Sequence, residues 1–93
     1  MYKINFTGTG TMTLEQFSPK EQQQVMYVLN KAVAEFSSNT HEPKKIQYLG
    51  DGFYVIRINQ TIRVMAKIEG KNFNIIDVFN YANLEKFASQ LVH

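Results

Sequence analysis

Two arginines dominate the chemistry open to this sequence. Arg57 and Arg63 flank a short Asn59-Gln60 break between two apolar runs. A break that short folds its flanks into an antiparallel hairpin. Alternation along the strands then puts both guanidinium groups on one face of a sheet, with Lys67 further along it. Guanidinium grips phosphate bidentately and stays charged at any relevant pH. On such a face it can stabilise the pentavalent transition state formed when RNA is cleaved by its own 2′-hydroxyl. The structural alternative is Arg63 paired with Asp77 on the next strand, an exposed bridge worth under about 1 kcal/mol. The residues themselves leave both readings open.

The charge around this pair points the same way. From Pro43 to Lys71 the chain carries Lys44, Lys45, Arg57, Arg63, Lys67 and Lys71 against Asp51 and Glu69, a net of +4. Lys44, Lys45, Lys67 and Lys71 are therefore candidate substrate-binding cations around an anionic ligand, or else a solvated sheet surface. The whole-chain charge of +2 is too small to act as a global field.

Other chemistries find little support. Cysteine is absent, so there is neither a disulfide framework nor a thiolate metal site. His41 and His93 stand in no ligand-like spacing, and no metal or cofactor is expected. Thr7-Gly8-Thr9-Gly10-Thr11 lacks the Gly-Lys-Ser/Thr end of a phosphate loop, and no Gly-x-Ser-x-Gly occurs.

The elements that must position Arg57 and Arg63 are readable. Tyr2, Ile4 and Phe6 alternate with Lys3 and Asn5, the pattern of a strand. Thr7 to Thr13 is built from poor helix formers and reads as a loop or a strand extension, with at most a helical turn at Leu14–Phe17. Ser18-Pro19-x-Glu21 is a helix start: hydroxyl cap, proline at the first position, and a carboxylate that reaches back. Val25, Val28, Leu29, Ala32, Val33 and Phe36 follow at helical spacing, predicting a helix from Pro19 to Phe36.

Beyond Pro43 the period changes to two. Lys45–Leu49, Phe53–Ile58, Thr61–Glu69 and Asn72–Phe79 read as strands joined by Gly50-Asp51-Gly52, Asn59-Gln60 and Gly70-Lys71. Ile62, Val64, Ala66 and Ile68 should face the helix. Arg63, Met65 and Lys67 should face away, joined by Arg57 on one side and by Ile75 and Asp77 on the other. Asn80 or Asn83 can cap a last helix bearing Leu84, Phe87, Ala88 and Leu91. The expected fold class is α+β: an N-terminal strand and helix packed on a C-terminal antiparallel sheet of three to four strands, with a short C-terminal helix.

Ninety-three residues at 44% hydrophobic and 19% charged make one globular domain, residues 1–93. No stretch approaches the roughly 18 to 20 apolar residues of a membrane span. Residues 1–14 lack the pattern of a signal peptide, so no membrane association and a cytoplasmic location are expected.

Gly52 to Ala88, with its basic strand, hairpin, arginine-led strand, hydrophobic strand and terminal helix, resembles the RelE/ParE superfamily of bacterial toxin–antitoxin toxins. The segment SPKEQQQVMYVLNKAV is similar to that family's long helix, whereas TGTGTMT is a poor match to its first helix. The resemblance implies a cognate antitoxin protein as partner. It also implies one of two activities: cleavage of mRNA on the ribosome, as in the RelE branch, or inhibition of DNA gyrase, as in the ParE branch. A third outcome is a non-toxic, divergent member of the fold. Arg63 falls where the family places its central-strand arginine, and Arg57 where RelE-like members place a lysine. Val55 falls on a second basic position without the charge. Tyr81, beside Asn80 and Asn83, stands in partly for a basic or histidine residue, while Phe87 has no hydroxyl for the position that often holds tyrosine. The implied catalytic set is thus Arg63, Arg57 and Tyr81, and it is incomplete.

Overall fold

The helix start forms as its residues dictate. The Ser18 hydroxyl accepts from the Glu21 backbone N–H at 3.2 Å, and the Glu21 carboxylate accepts from the Ser18 N–H at 3.0 Å. The helix that follows, α2, runs Pro19–Ser37 and buries Val25, Leu29, Ala32 and Val33. The structure is a computed structural model that describes residues 2–38 and 45–81. Its other elements are β1 (Lys3–Phe6), α1 (Gly8–Leu14), β2 (Ile46–Gly50), β3 (Phe53–Arg57), β4 (Ile62–Glu69) and β5 (Asn72–Asn80). The expected C-terminal helix, with Asn83, Leu84, Phe87, Ala88 and Leu91, lies outside the described residues.

The strands form one five-stranded sheet in the order β1-β5-β4-β3-β2. The four C-terminal strands are antiparallel hairpin neighbours, as the short turns require. The N-terminal strand does not lie apart from them. It joins the edge of the sheet, parallel to β5, so the sheet is mixed and has five strands rather than three or four. Gly50, Asp51 and Gly52 all take positive φ in the β2–β3 turn, which only glycine and a few short polar residues tolerate.

Helix α2 covers one face of this sheet. Ile62, Val64 and Ala66 of β4 are buried there with Ile46, Ile56, Phe73, Ile75 and Val78. Each large aliphatic or aromatic side chain so buried contributes about 1.5–3 kcal/mol. Phe36 from α2 packs edge-on to Tyr2, Tyr54 and Phe73 at centroid distances of 5.2–5.5 Å, tying helix, first strand and sheet together.

Two further expectations fail, each for its own reason. Thr7 to Thr13 is not a loop or strand extension. Gly8–Leu14 is a helix, N-capped by Thr7, whose hydroxyl accepts from Gly10 N–H at 3.0 Å. It lies along the edge of β5 where β1 has ended. Thr7 donates its N–H and its hydroxyl to the Ile75 carbonyl at 3.0 and 3.1 Å, and the Thr13 hydroxyl accepts from Val78 N–H at 2.9 Å. Gly10 is buried against the same carbonyl, and any Cβ there would collide with it. Tertiary contacts thus override low helix propensity. Ile75 also does not join Asp77 on the open face. Met65 pairs with Asp77 but Ala66 pairs with Ile75, so Ile76 is a bulge that reverses the alternation and turns Ile75 into the core.

Loss of the Thr13 hydroxyl should therefore be felt across the sheet. Thr13→Val keeps the shape but leaves the Val78 N–H without its acceptor, and should cost about 1–3 kcal/mol. Gly10→Ala should cost about as much through overpacking. Urea unfolding midpoints of both variants, set beside the exposed change Thr9→Val as a control, measure this.

Candidate functional site on the open sheet face

The face of the sheet away from α2 carries the residues that the sequence singled out. Register places Arg57 directly opposite Arg63, Val55 opposite Met65, and Met65 opposite Asp77. Like charges placed directly opposite repel, so this arrangement needs something to hold it. The cross-strand neighbours of Arg63 are Arg57 and Phe79, and Asp77 stands opposite Met65. The Arg63–Asp77 pairing is therefore not the one adopted.

Arg63 is instead clamped by the β3–β4 turn. Its Nη1 donates to the carbonyls of Asn59 at 2.5 Å and Ile62 at 3.2 Å. Its guanidinium carbon lies 4.5 Å from the centre of the Tyr81 ring, a cation–π stack. Of five N–H donors, those on Nη1 are used in this way, which leaves Nη2 and Nε to meet a ligand. Arg57, by contrast, is exposed. One arginine is thus set in place and the other is free to adapt.

The clamp depends on Asn59, which the sequence reading passed over as a plain turn residue. Its Oδ1 accepts from Thr61 N–H, Thr61 Oγ1 and Ile62 N–H at 2.8, 3.1 and 2.8 Å. Its Nδ2 donates to Gln24 Oε1 on α2 at 3.0 Å. The Asn-x-Thr spacing in a hairpin turn was the available signal, since asparagine there bonds the backbone that follows it. The link to Gln24 left no trace in the sequence.

The remaining candidates divide. Lys45 is beside Arg57, its carbonyl accepting from Arg57 N–H at 2.8 Å. Lys67 shares the open face but lies roughly 13 Å along β4 from Arg63 by strand rise, its ammonium 5.2 Å from the centre of the Phe53 ring. Lys71 is in the β4–β5 turn, at the far end of the sheet, where its carbonyl accepts from Lys3 N–H. Lys44, His41 and His93 lie outside the described residues. Among the described residues no group of three or more His, Cys, Asp or Glu side chains could hold a metal ion. No described helix is long and apolar enough to cross a membrane.

No family model matches the sequence, and no curated protein matches it. Solved structures do. The YoeB–YefM complex from Staphylococcus aureus is similar at 17% identity over 85% of this chain and 95% of that one, with a TM-score of 0.61. The RelBE2 toxin–antitoxin complex from Mycobacterium tuberculosis is similar at 23% identity, covering 85% and 96%, with a TM-score of 0.55. The DinJ–YafQ toxin–antitoxin complex from E. coli gives 15%, 89% and 96%, and 0.57. The chain therefore has the fold of the RelE-like toxins.

Removing the Asn59 side chain should loosen Arg63 without dismantling the sheet. In Asn59→Ala the Arg63 Nε–Hε resonance should lose dispersion and exchange faster with water, while core methyl resonances of Val64 and Ile75 keep their positions. Side-chain NMR of the two proteins reads this directly.

Proposed function

We propose that this chain is the toxin of a toxin–antitoxin pair, acting as an endoribonuclease on ribosome-bound mRNA. The observation that carries the reading is Arg63, held by a turn and an aromatic ring on the open face of this fold. The fold itself is the one seen in toxin–antitoxin complexes. When a 2′-hydroxyl attacks the adjacent phosphorus, negative charge grows on the non-bridging oxygens. A guanidinium already fixed beside them stabilises that charge without reorganising. Arg57 supplies a second cation from the facing strand, and Lys45 extends the charge beside it. Tyr81 offers a phenol whose ring is stacked on Arg63; in this reading it passes a proton to the 5′-oxygen as the P–O5′ bond breaks, while the attacking 2′-hydroxyl loses its own proton to water.

A cognate antitoxin is the proposed partner, as the solved relatives are complexes with YefM, RelB and DinJ proteins. A second reading has its own support. Val55, Met65 and Phe79 form a half-buried apolar band across the same face. Such a band suits contact with a protein, and a gyrase-binding toxin would use it without a catalytic set.

Primer extension on ribosome-bound message separates the two. Arg63→Ala should lower cleavage by about 10²–10³, the scale for one preorganised donor, and abolish growth arrest on induction. Tyr81→Phe keeps the stacked ring, so any further loss, on the order of 10²-fold or more, belongs to the phenol as proton donor. No cleavage by the unaltered protein at stoichiometric amounts would sink the enzyme reading. Growth arrest that survives Arg63→Ala would favour the gyrase reading.

A further inference from the structure

Strand β1 forms one end of the sheet, and its outer edge pairs with nothing among the described residues. The Lys3 and Thr7 N–H groups bond to β5, at the Lys71 and Ile75 carbonyls. Backbone groups alternate sides along a strand, so those of Ile4 and Phe6 point outward, away from β5. The opposite end of the sheet is treated differently. There the β2 register breaks between Tyr48 and Gly50, a bulge that twists an edge away from pairing. The β1 edge keeps a regular register throughout. Beside it the core is not closed. Tyr2, Ile4 and Phe6 are only half-buried and face Met26, Asn30 and Ala34 of α2 across an open groove of about 550 Å³. One benzene-sized group fills about 150 Å³, so closing this groove takes a surface rather than a single side chain.

We propose that the β1 edge is the contact of a symmetric dimer, in which a second copy of this chain adds its own β1 antiparallel. Self-complementarity selects that occupant. A twofold axis through Ile4 sets Ile4 opposite its own copy, Tyr2 opposite Phe6, and Lys3 opposite Asn5. Opposed residues of an antiparallel pair share a face. Here they do: Tyr2, Ile4 and Phe6 lie on the α2 side, Lys3 and Asn5 on the open side. The outward backbone groups of Ile4 and Phe6 then meet those of Ile4 and Tyr2, so each pair can exchange two hydrogen bonds. Charge agrees as well. Lys3 meets Asn5, whose Nδ2 donates to Asn72 at 3.0 Å and whose Oδ1 is left to accept from the ammonium. Neighbouring registers fail. An axis through Lys3 would oppose two ammonium groups. An axis through Asn5 would oppose Tyr2 to Gly8, which has already entered α1, and Lys3 to Thr7, whose hydroxyl is spent on Ile75 and Gly10. In the register through Ile4 the two half-buried rows cover each other, and both open faces lie on one side of a continuous sheet, with Arg63 of each copy left accessible.

Sedimentation velocity of the full chain should show monomer when dilute and dimer at high micromolar concentration. In a mixed sample of isotope-labelled and unlabelled chains, NMR should detect contacts between the Tyr2 ring of one copy and the Phe6 ring of the other. The Ile4 and Phe6 amides should gain protection from solvent exchange as concentration rises, while the Lys3 and Asn5 amides are protected throughout. Asn5→Lys sets an ammonium against Lys3 on both sides of the axis and should weaken dimerisation about fivefold or more. Adding Lys3→Glu to that variant turns repulsion into attraction and should restore the dimer. A chain that stays monomeric at millimolar concentration overturns the proposal. So does protection of the Ile4 and Phe6 amides in the dilute monomer, which would mean that the chain covers its own edge. A dimer indifferent to Asn5→Lys would place the contact elsewhere and overturn it equally.

Discussion

The outer edge of β5 is the constraint on which the rest of this structure turns. An unpaired strand edge exposes a row of donors and acceptors that other chains can exploit. Here β1 satisfies the first part of that edge by parallel pairing from Asn72 to Ile75. Past Ile75 the ladder stops and side chains take over, with Thr7 on the Ile75 carbonyl and Thr13 on the Val78 N–H. The bulge at Ile76 lies between these two attachments. It turns Ile75 and Val78 both into the core, and it leaves Asp77 on the open face opposite Met65. The composition of the candidate site is therefore set, in part, by threonines that never approach it.

The open face shows the same economy in how it treats charge. Two guanidinium groups directly across a ladder would separate if both were free. One of them is bent back onto the Asn59 and Ile62 carbonyls and stacked on Tyr81, while the other stays exposed. Asn59 carries the clamp because its side chain holds the turn and reaches α2 through Gln24. The helix that builds the core thus also braces the turn that aims Arg63.

What could be read from the sequence was what local rules govern. The Ser18 cap, the stripe from Val25 to Phe36 and the alternation from Thr61 to Glu69 each depend on neighbours within a few residues, and each forms as written. The facing arginines followed from one short turn and strand parity. What could not be read depended on distant partners. Helix α1 exists because Gly10 meets the Ile75 carbonyl, 65 residues away in sequence, so propensity alone argued against it. Ile75 was assigned to the wrong face because parity holds only until a bulge. The parallel docking of β1 onto β5 likewise left no local mark, so the N-terminal strand was expected beside the sheet rather than in it. Among the site residues, Arg57, Arg63 and Tyr81 come together, while Lys71 is carried to the opposite end by the length of β4.

The paired arginines also carry a thermodynamic implication. Arg57 facing Arg63 is a local conflict held in check by surrounding structure, the kind of departure that natural sequences concentrate at functional sites. Anything anionic that binds across both groups removes the conflict. Such a ligand favours the folded chain by an amount that grows with its concentration relative to its dissociation constant. A phosphodiester at the open face would do so, since one anion can lie between two guanidinium groups that face each other across the ladder.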